Sequence, residues 1–173
     1  IKGSWFIPHN QKEAYRRISG ILSSRFPQHS DFFEQNRKKA EEEINKVDNQ
    51  LKKLFDDKKL NGIPVICNSH IAEMIAYMGF DVAATYGRKE ELTAVDIKNL
   101  IKLCRERKVR IIIDNLQAGS DTGRVIADEL NLPHLAISNF PGVFPKTPTL
   151  RQTLYENANR ILTVYENSKN TAD

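Results

Sequence analysis

From Gly62 onward, short runs rich in β-branched residues alternate with helical patterns. The four runs are IPVIC, DVAAT, VRIIID and HLAIS, and the segments between them have the spacing of helices. Buried parallel strands appear as apolar runs because both faces of the sheet are covered, and parallel strands need long crossovers. The sequence therefore predicts an α/β fold with a four-stranded parallel sheet flanked by helices. The strands are centred on Val65, Val82, Ile112 and Ala136.

The sequence before this alternation has a helical pattern. Asn10 and Glu13 have the spacing of a capping box at the start of a first helix. In a second helix, predicted over Ser30–Asp57, apolar residues recur at intervals of three and four and form one stripe on a heavily charged rod. We expect a single domain overall, with connecting and surface helices over residues 1–61 and an α/β lobe over residues 62–173.

Composition narrows the classes of function. The chain has 173 residues and a net charge of +4, and its basic side chains are interleaved with acidic ones. This pattern gives no clustered basic face, so we expect no nucleic-acid partner. Cys67 and Cys104 lack the spacing of a metal-binding or disulfide framework, and the sequence leaves their redox state open. The sequence contains no motif of a phosphate-binding loop, a zinc-protease helix or a nucleophile elbow.

Candidate binding residues follow the ends of the four predicted strands. Ligands of open parallel sheets bind beyond the carboxyl ends of the strands, where helix N-termini and loops converge. This rule places His70, Tyr86, Asp114 and Asn139 at one edge, and we predict that they form an open ligand-binding surface. A histidine at a helix N-terminus is favoured in its neutral form, which can accept a proton or bind a metal.

Several segments resemble, in order, the C-terminal part of the zinc- and manganese-binding solute-binding proteins of ABC importers, the cluster A-I family. SWFIPHNQ is similar to the family's H-x-W-L-D-P-x-N segment, and CNSHIAEMIAYMGF to its T-S-H-x-x-x-x-Y-x-x-x-x-G segment. RFPQHSDFFEQN resembles its D-P-x-N-x-x-x-Y-x-x-N segment, with Phe33 at the aromatic position and Asn36 at the asparagine. NFPG falls where the family has D-P-L-G.

The resemblance implies one lobe of a two-lobed extracytoplasmic receptor that binds zinc or manganese between its lobes and delivers it to a membrane permease. By position, His70 matches the metal ligand of the C-terminal lobe. Gly3 stands where the family has a histidine, and Asn139 where it has an aspartate. The ligand set is therefore degenerate and the N-terminal lobe is not represented in the sequence. We expect weak metal binding, and association with a separate lobe or with a second copy.

A second hypothesis comes from a different class of function. An independent small α/β enzyme or regulatory domain could use His70 and Asp114 as acid and base at the sheet edge. The resemblance favours a binding protein that is not an enzyme, and no catalytic residue is assigned on that interpretation.

Overall fold

The structure, a computed structural model, describes residues 3–170, without the side chains of residues 169 and 170. The chain divides into two compact units, Ile1–Leu54 and Phe55–Asp173. The helices of the first unit are α1 (Pro8–Arg25) and α2 (Ser30–Asp57), and α2 ends within the second unit. The sequence-based division between residues 1–61 and 62–173 stays a prediction about domains.

The second unit alternates strands and helices. In chain order its elements are β1 (Pro64–Asn68), α3 (Ala72–Tyr77), β2 (Asp81–Tyr86), α4 (Ala94–Glu106), β3 (Ile111–Asn115), α5 (Asp121–Leu130), β4 (His134–Ile137) and α6 (Leu150–Asn170). Short 3₁₀ turns, Ser69–Ile71 and Leu116–Ala118, follow β1 and β3. Among the residues that the structure describes, no helix is both long and apolar enough to cross a membrane.

The four strands form one parallel sheet in the order β2-β1-β3-β4. This confirms the predicted fold. Val65 is paired with Val82 on one side and with Ile111 on the other, so β1 and β3 are the central strands. Both central strands are buried almost throughout, which explains why their sequences are continuous apolar runs rather than alternating ones.

One face of the sheet is covered by α4 and α5. Its buried core includes Ile66, Ile112, Ile126 and Ala127. Each of the three isoleucines is fully buried, and each contributes roughly 1.5–3 kcal/mol to folding by leaving water. This packing fixes the positions of β1 and β3, whose carboxyl ends carry the candidate site.

The two long helices of the first unit agree only in part with the sequence prediction. α2 spans Ser30–Asp57 as predicted, and Arg16 of α1 pairs with Glu41 of α2 at 3.0 Å. The predicted capping box at Asn10 and Glu13 is wrong, because α1 begins at Pro8 with no side-chain cap. Proline suits the first helical turn, since its missing N–H would have no helical partner there.

The two central strands end in the same way. Asn68 ends β1 and Asn115 ends β3, and each is 1% exposed. Each asparagine accepts a hydrogen bond through its side chain from the backbone N–H two residues later, His70 or Gln117. A side-chain oxygen that caps a turn in this way lets a buried strand end sharply. The next residues are thereby carried to the carboxyl edge of the sheet.

Candidate functional site

His70 is presented to solvent at the end of β1. Asn68 Oδ1 accepts the His70 backbone N–H at 3.0 Å, and His70 Nδ1 lies 3.0 Å from the same oxygen. Asn68 is buried, whereas Ser69 and His70 are exposed. His70 therefore lies just beyond β1 at the carboxyl edge of the sheet, and one of its ring nitrogens contacts the protein.

Asn139 lies just beyond β4 and is held by Gln117. The Asn139 backbone N–H donates to Gln117 Oε1 at 3.2 Å, and Gln117 Nε2 donates to Ser138 Oγ at 2.9 Å. Within the described residues, Asn139 Oδ1 is buried and has no hydrogen-bond partner. A buried amide oxygen without a partner costs about 1–3 kcal/mol.

A buried asparagine of α6 fixes the same loop from the other side. Asn157 is fully buried; its Oδ1 accepts the Ser138 backbone N–H at 3.2 Å, and its Nδ2 donates to the Ser138 carbonyl at 2.8 Å. Two bonds between one amide side chain and one residue restrict both the position and the orientation of that residue. Asn157 holds Ser138, and Gln117 binds the backbone N–H of Asn139. Together they fix the position of the Asn139 backbone.

Tyr86 and Asp114 do not lie at an open surface, and this part of the sequence prediction is wrong. Tyr86 is 3% exposed and Asp114 is 0% exposed. The Tyr86 hydroxyl donates to Asp114 Oδ1 at 2.9 Å and lies 3.2 Å from the Ile113 carbonyl. Asp114 Oδ2 is 2.7 Å from His134 Nε2. Both carboxylate oxygens are therefore engaged inside the protein, beneath the edge rather than on it.

Burial in this low-dielectric interior disfavours the charged forms of one tyrosine and two cysteines, and so raises their pKa values. Burial, with a further contribution from the negative charge of Asp114, raises the pKa of Tyr86 well above its usual value. The same two causes raise the pKa of the Cys67 thiol to about 12. Burial raises the pKa of the Cys104 thiol to about 11. At neutral pH both cysteines are protonated, and the thiol form is a poor nucleophile and metal ligand.

Gly123 of α5 closes over the carboxylate. A Cβ at this position would clash with Asp114 Oδ2 and would lie 2.5 Å from the Tyr86 hydroxyl and 2.8 Å from Asp114 Cγ. Distances this short lie far inside van der Waals contact, so only glycine fits the present arrangement. The absence of a side chain lets α5 approach the hydrogen-bonded cluster of Tyr86, Asp114 and His134, which we call the buried carboxylate cluster.

The described residues do not by themselves assemble a metal centre. Over residues 3–170, no group of three or more His, Cys, Asp or Glu side chains is arranged to hold an ion. A tight tetrahedral zinc site needs three or four such ligands. At the carboxyl edge, His70 supplies an imidazole and Asn139 a neutral amide.

Sequence reasoning missed three residues that shape the site. His134 was assigned only to a strand, although the sheet register puts its side chain on the same face as Asp114, since Ile112 is paired with His134. Gln117 and Asn157 were not singled out, because polar residues in a turn and in a helix normally face solvent. Only the register of β3 against β4, and the packing of α6, reveal these three contacts.

The chain matches a family model described as the periplasmic component A of a zinc-uptake complex, ZnuA, over residues 3–164. No curated protein sequence matches it.

Solved structures of similar fold include a crystal structure of ZnuA, with a TM-score of 0.72 at 17% identity. A mutant of the laminin-binding adhesin Lmb from Streptococcus agalactiae gives 0.72 at 15% identity. A manganese-bound periplasmic metal-binding protein from Candidatus Liberibacter asiaticus gives 0.73 at 15% identity. The matches cover 93%, 94% and 94% of this chain, in that order, but only 58%, 62% and 62% of those chains.

Proposed function

Because the chain belongs to the family of zinc-uptake complex component A, we propose that it is the C-terminal lobe of a solute-binding protein serving an ABC importer of metal type. The observation that carries the proposal is the family match over residues 3–164, which includes the whole sheet and its carboxyl edge. The proposal places the protein outside the cytoplasm and gives it a membrane permease as partner. An N-terminal lobe would supply the other half of the receptor.

The proposed contacts with the solute come from His70 and Asn139. His70 is exposed at the edge, and the Asn139 backbone is tied to Gln117. In this proposal Tyr86 and Asp114, first predicted as binding residues, support the edge from below through the buried carboxylate cluster. Their side chains are too deeply buried to touch a solute without rearrangement.

The acid–base hypothesis is weaker for the same reason. A general acid or base must reach the proton that it transfers. Asp114 is fully buried, and both of its oxygens are bonded to Tyr86 and His134. The geometry therefore favours a binding protein over an enzyme that uses His70 and Asp114 together.

Uptake by cells tests the proposed function. Under metal limitation, deletion of the gene that encodes this chain is expected to lower the cellular content of zinc or manganese, measured by mass spectrometry. Complementation with the native gene should restore that content, and complementation with His70→Ala should restore less of it. Unchanged contents of both metals in the deletion strain would contradict the proposal.

Zinc and manganese are expected to bind the isolated chain weakly, because one imidazole and a neutral amide cannot replace several converging imidazole or carboxylate ligands. Isothermal titration calorimetry should show no binding tighter than about micromolar, since only part of a tetrahedral ligand set is available. Asn139→Asp restores a negative charge at the edge and should tighten zinc binding, whereas Asn139→Ala should not.

Nanomolar zinc binding that His70→Ala abolishes would contradict this expectation of weak binding.

The neutral edge also suggests what the complete receptor carries. A metal chelate, or another polar solute that brings its own charge, would need fewer protein ligands than a bare ion does. Calorimetry with a preformed zinc chelate beside free zinc separates these cases, and tighter binding of free zinc would exclude the chelate.

A further inference from the structure

One oxygen atom, Asn68 Oδ1, contacts two nitrogen atoms of His70. It lies 3.0 Å from the backbone nitrogen and 3.0 Å from ring Nδ1. The backbone N–H can only donate, so the amide atom that faces it must be the oxygen and not the nitrogen. The backbone of His70 thereby determines how the Asn68 amide is oriented. Because Asn68 is 1% exposed, the surrounding β1 packing holds that orientation.

The orientation of the amide decides the proton position on the ring. An amide oxygen only accepts hydrogen bonds, so Nδ1 must carry the hydrogen for its 3.0 Å contact with Asn68 Oδ1 to be favourable. A neutral imidazole has one hydrogen on its two nitrogens, so Nε2 then holds the free lone pair. The exposed face of His70 thus presents an acceptor rather than a donor.

We infer that Asn68 is a positioning residue that commits neutral His70 to the Nδ1–H tautomer and reserves Nε2 for the solute. The inference rests on the proposed function, because it concerns the edge through which the solute would bind. Neutral histidine in water favours the opposite tautomer, with the hydrogen on Nε2. A protein acceptor at the other ring nitrogen fixes both the tautomer and the ring orientation of a metal-binding histidine.

The tautomer can be measured without any solute. In the ¹⁵N-labelled chain, at a pH where the ring is neutral, long-range ¹⁵N–¹H correlation spectra distinguish protonated from unprotonated ring nitrogens. We expect His70 to show a protonated Nδ1 and an unprotonated Nε2. Asn68→Ala should shift His70 toward the Nε2–H form, while His9 and His29 remain unchanged as internal controls.

Asn68→Asp is the matched variant, because a carboxylate oxygen also accepts from both His70 nitrogens. It should keep the Nδ1–H tautomer, and it provides a second measurement if Asn68→Ala does not fold. A native His70 with its hydrogen on Nε2 would overturn the inference. An unchanged tautomer in folded Asn68→Ala would also overturn it.

Titration with Zn²⁺, followed in the same spectra, tests whether zinc binds the lone pair of His70 Nε2. Zinc should move the His70 Nε2 signal first, and Asn68→Ala should weaken the apparent zinc affinity about tenfold, the lower end of the usual loss when such a partner is removed. Asn68→Asp should not weaken it. If the tautomer is as expected but zinc leaves His70 unchanged, the tautomer assignment stands and the proposed solute contact by His70 is wrong.

Discussion

Replacing Asp114 with alanine is expected to lower the free energy of unfolding by roughly 2–4 kcal/mol, because two hydrogen-bond donors lose a buried acceptor and each such loss costs about 1–3 kcal/mol. The Tyr86 hydroxyl loses its 2.9 Å acceptor, and His134 Nε2 loses its 2.7 Å partner. Tyr86 is 3% exposed, so water cannot easily replace the lost bond. Urea unfolding followed by circular dichroism measures the effect.

Asp114→Asn is the matched control, because it keeps the shape of the side chain. Its amide oxygen can still accept from Tyr86, and its NH₂ can donate to His134 Nε2 if the imidazole hydrogen moves to Nδ1. We therefore expect a clearly smaller loss of stability than with Asp114→Ala. Equal losses below about 1 kcal/mol for both variants, the value of an ordinary hydrogen bond, would show that the cluster does not stabilise the fold.

Gly123→Ala is expected to destabilise the chain by about 1–3 kcal/mol, the usual cost of overpacking a well-packed interior. The new methyl would lie 2.5 Å from the Tyr86 hydroxyl and 2.8 Å from Asp114 Cγ, and neither group can move into solvent. Either α5 must shift away from the sheet or the hydrogen bonds of Asp114 must break. The thermal midpoint and the urea midpoint should both fall.

Gly20→Ala provides the control for the change of residue type. Gly20 lies in α1, is exposed, and has nothing within 4 Å of the position that a Cβ would occupy. Alanine favours an exposed helix interior over glycine by about 1 kcal/mol, so this variant should be slightly more stable than the native chain. If Gly123→Ala changes the stability of the chain as Gly20→Ala does, then α5 does not lie as close to Asp114 as described above.

The parallel-sheet fold and the position of His70 could be predicted from the sequence, because both depend on local patterns of residues. The apolar run of β1 identifies a buried strand, and the polar residues from Asn68 to His70 identify its end, since a buried strand must stop before exposed residues. The same argument identified α2 from its apolar spacing. These features require only the periodicity of neighbouring residues, which is visible in the sequence.

The tertiary structure decided which polar residues at the strand ends are exposed. His70 lies two residues beyond β1, whereas Tyr86 is the last residue of β2 and Asp114 lies within β3. Both are buried, and His134 on the neighbouring strand and the Tyr86 hydroxyl satisfy the carboxylate. Gly123 lets α5 close over them. These contacts join residues far apart in the chain, so they depend on strand register and helix packing, which no local pattern encodes.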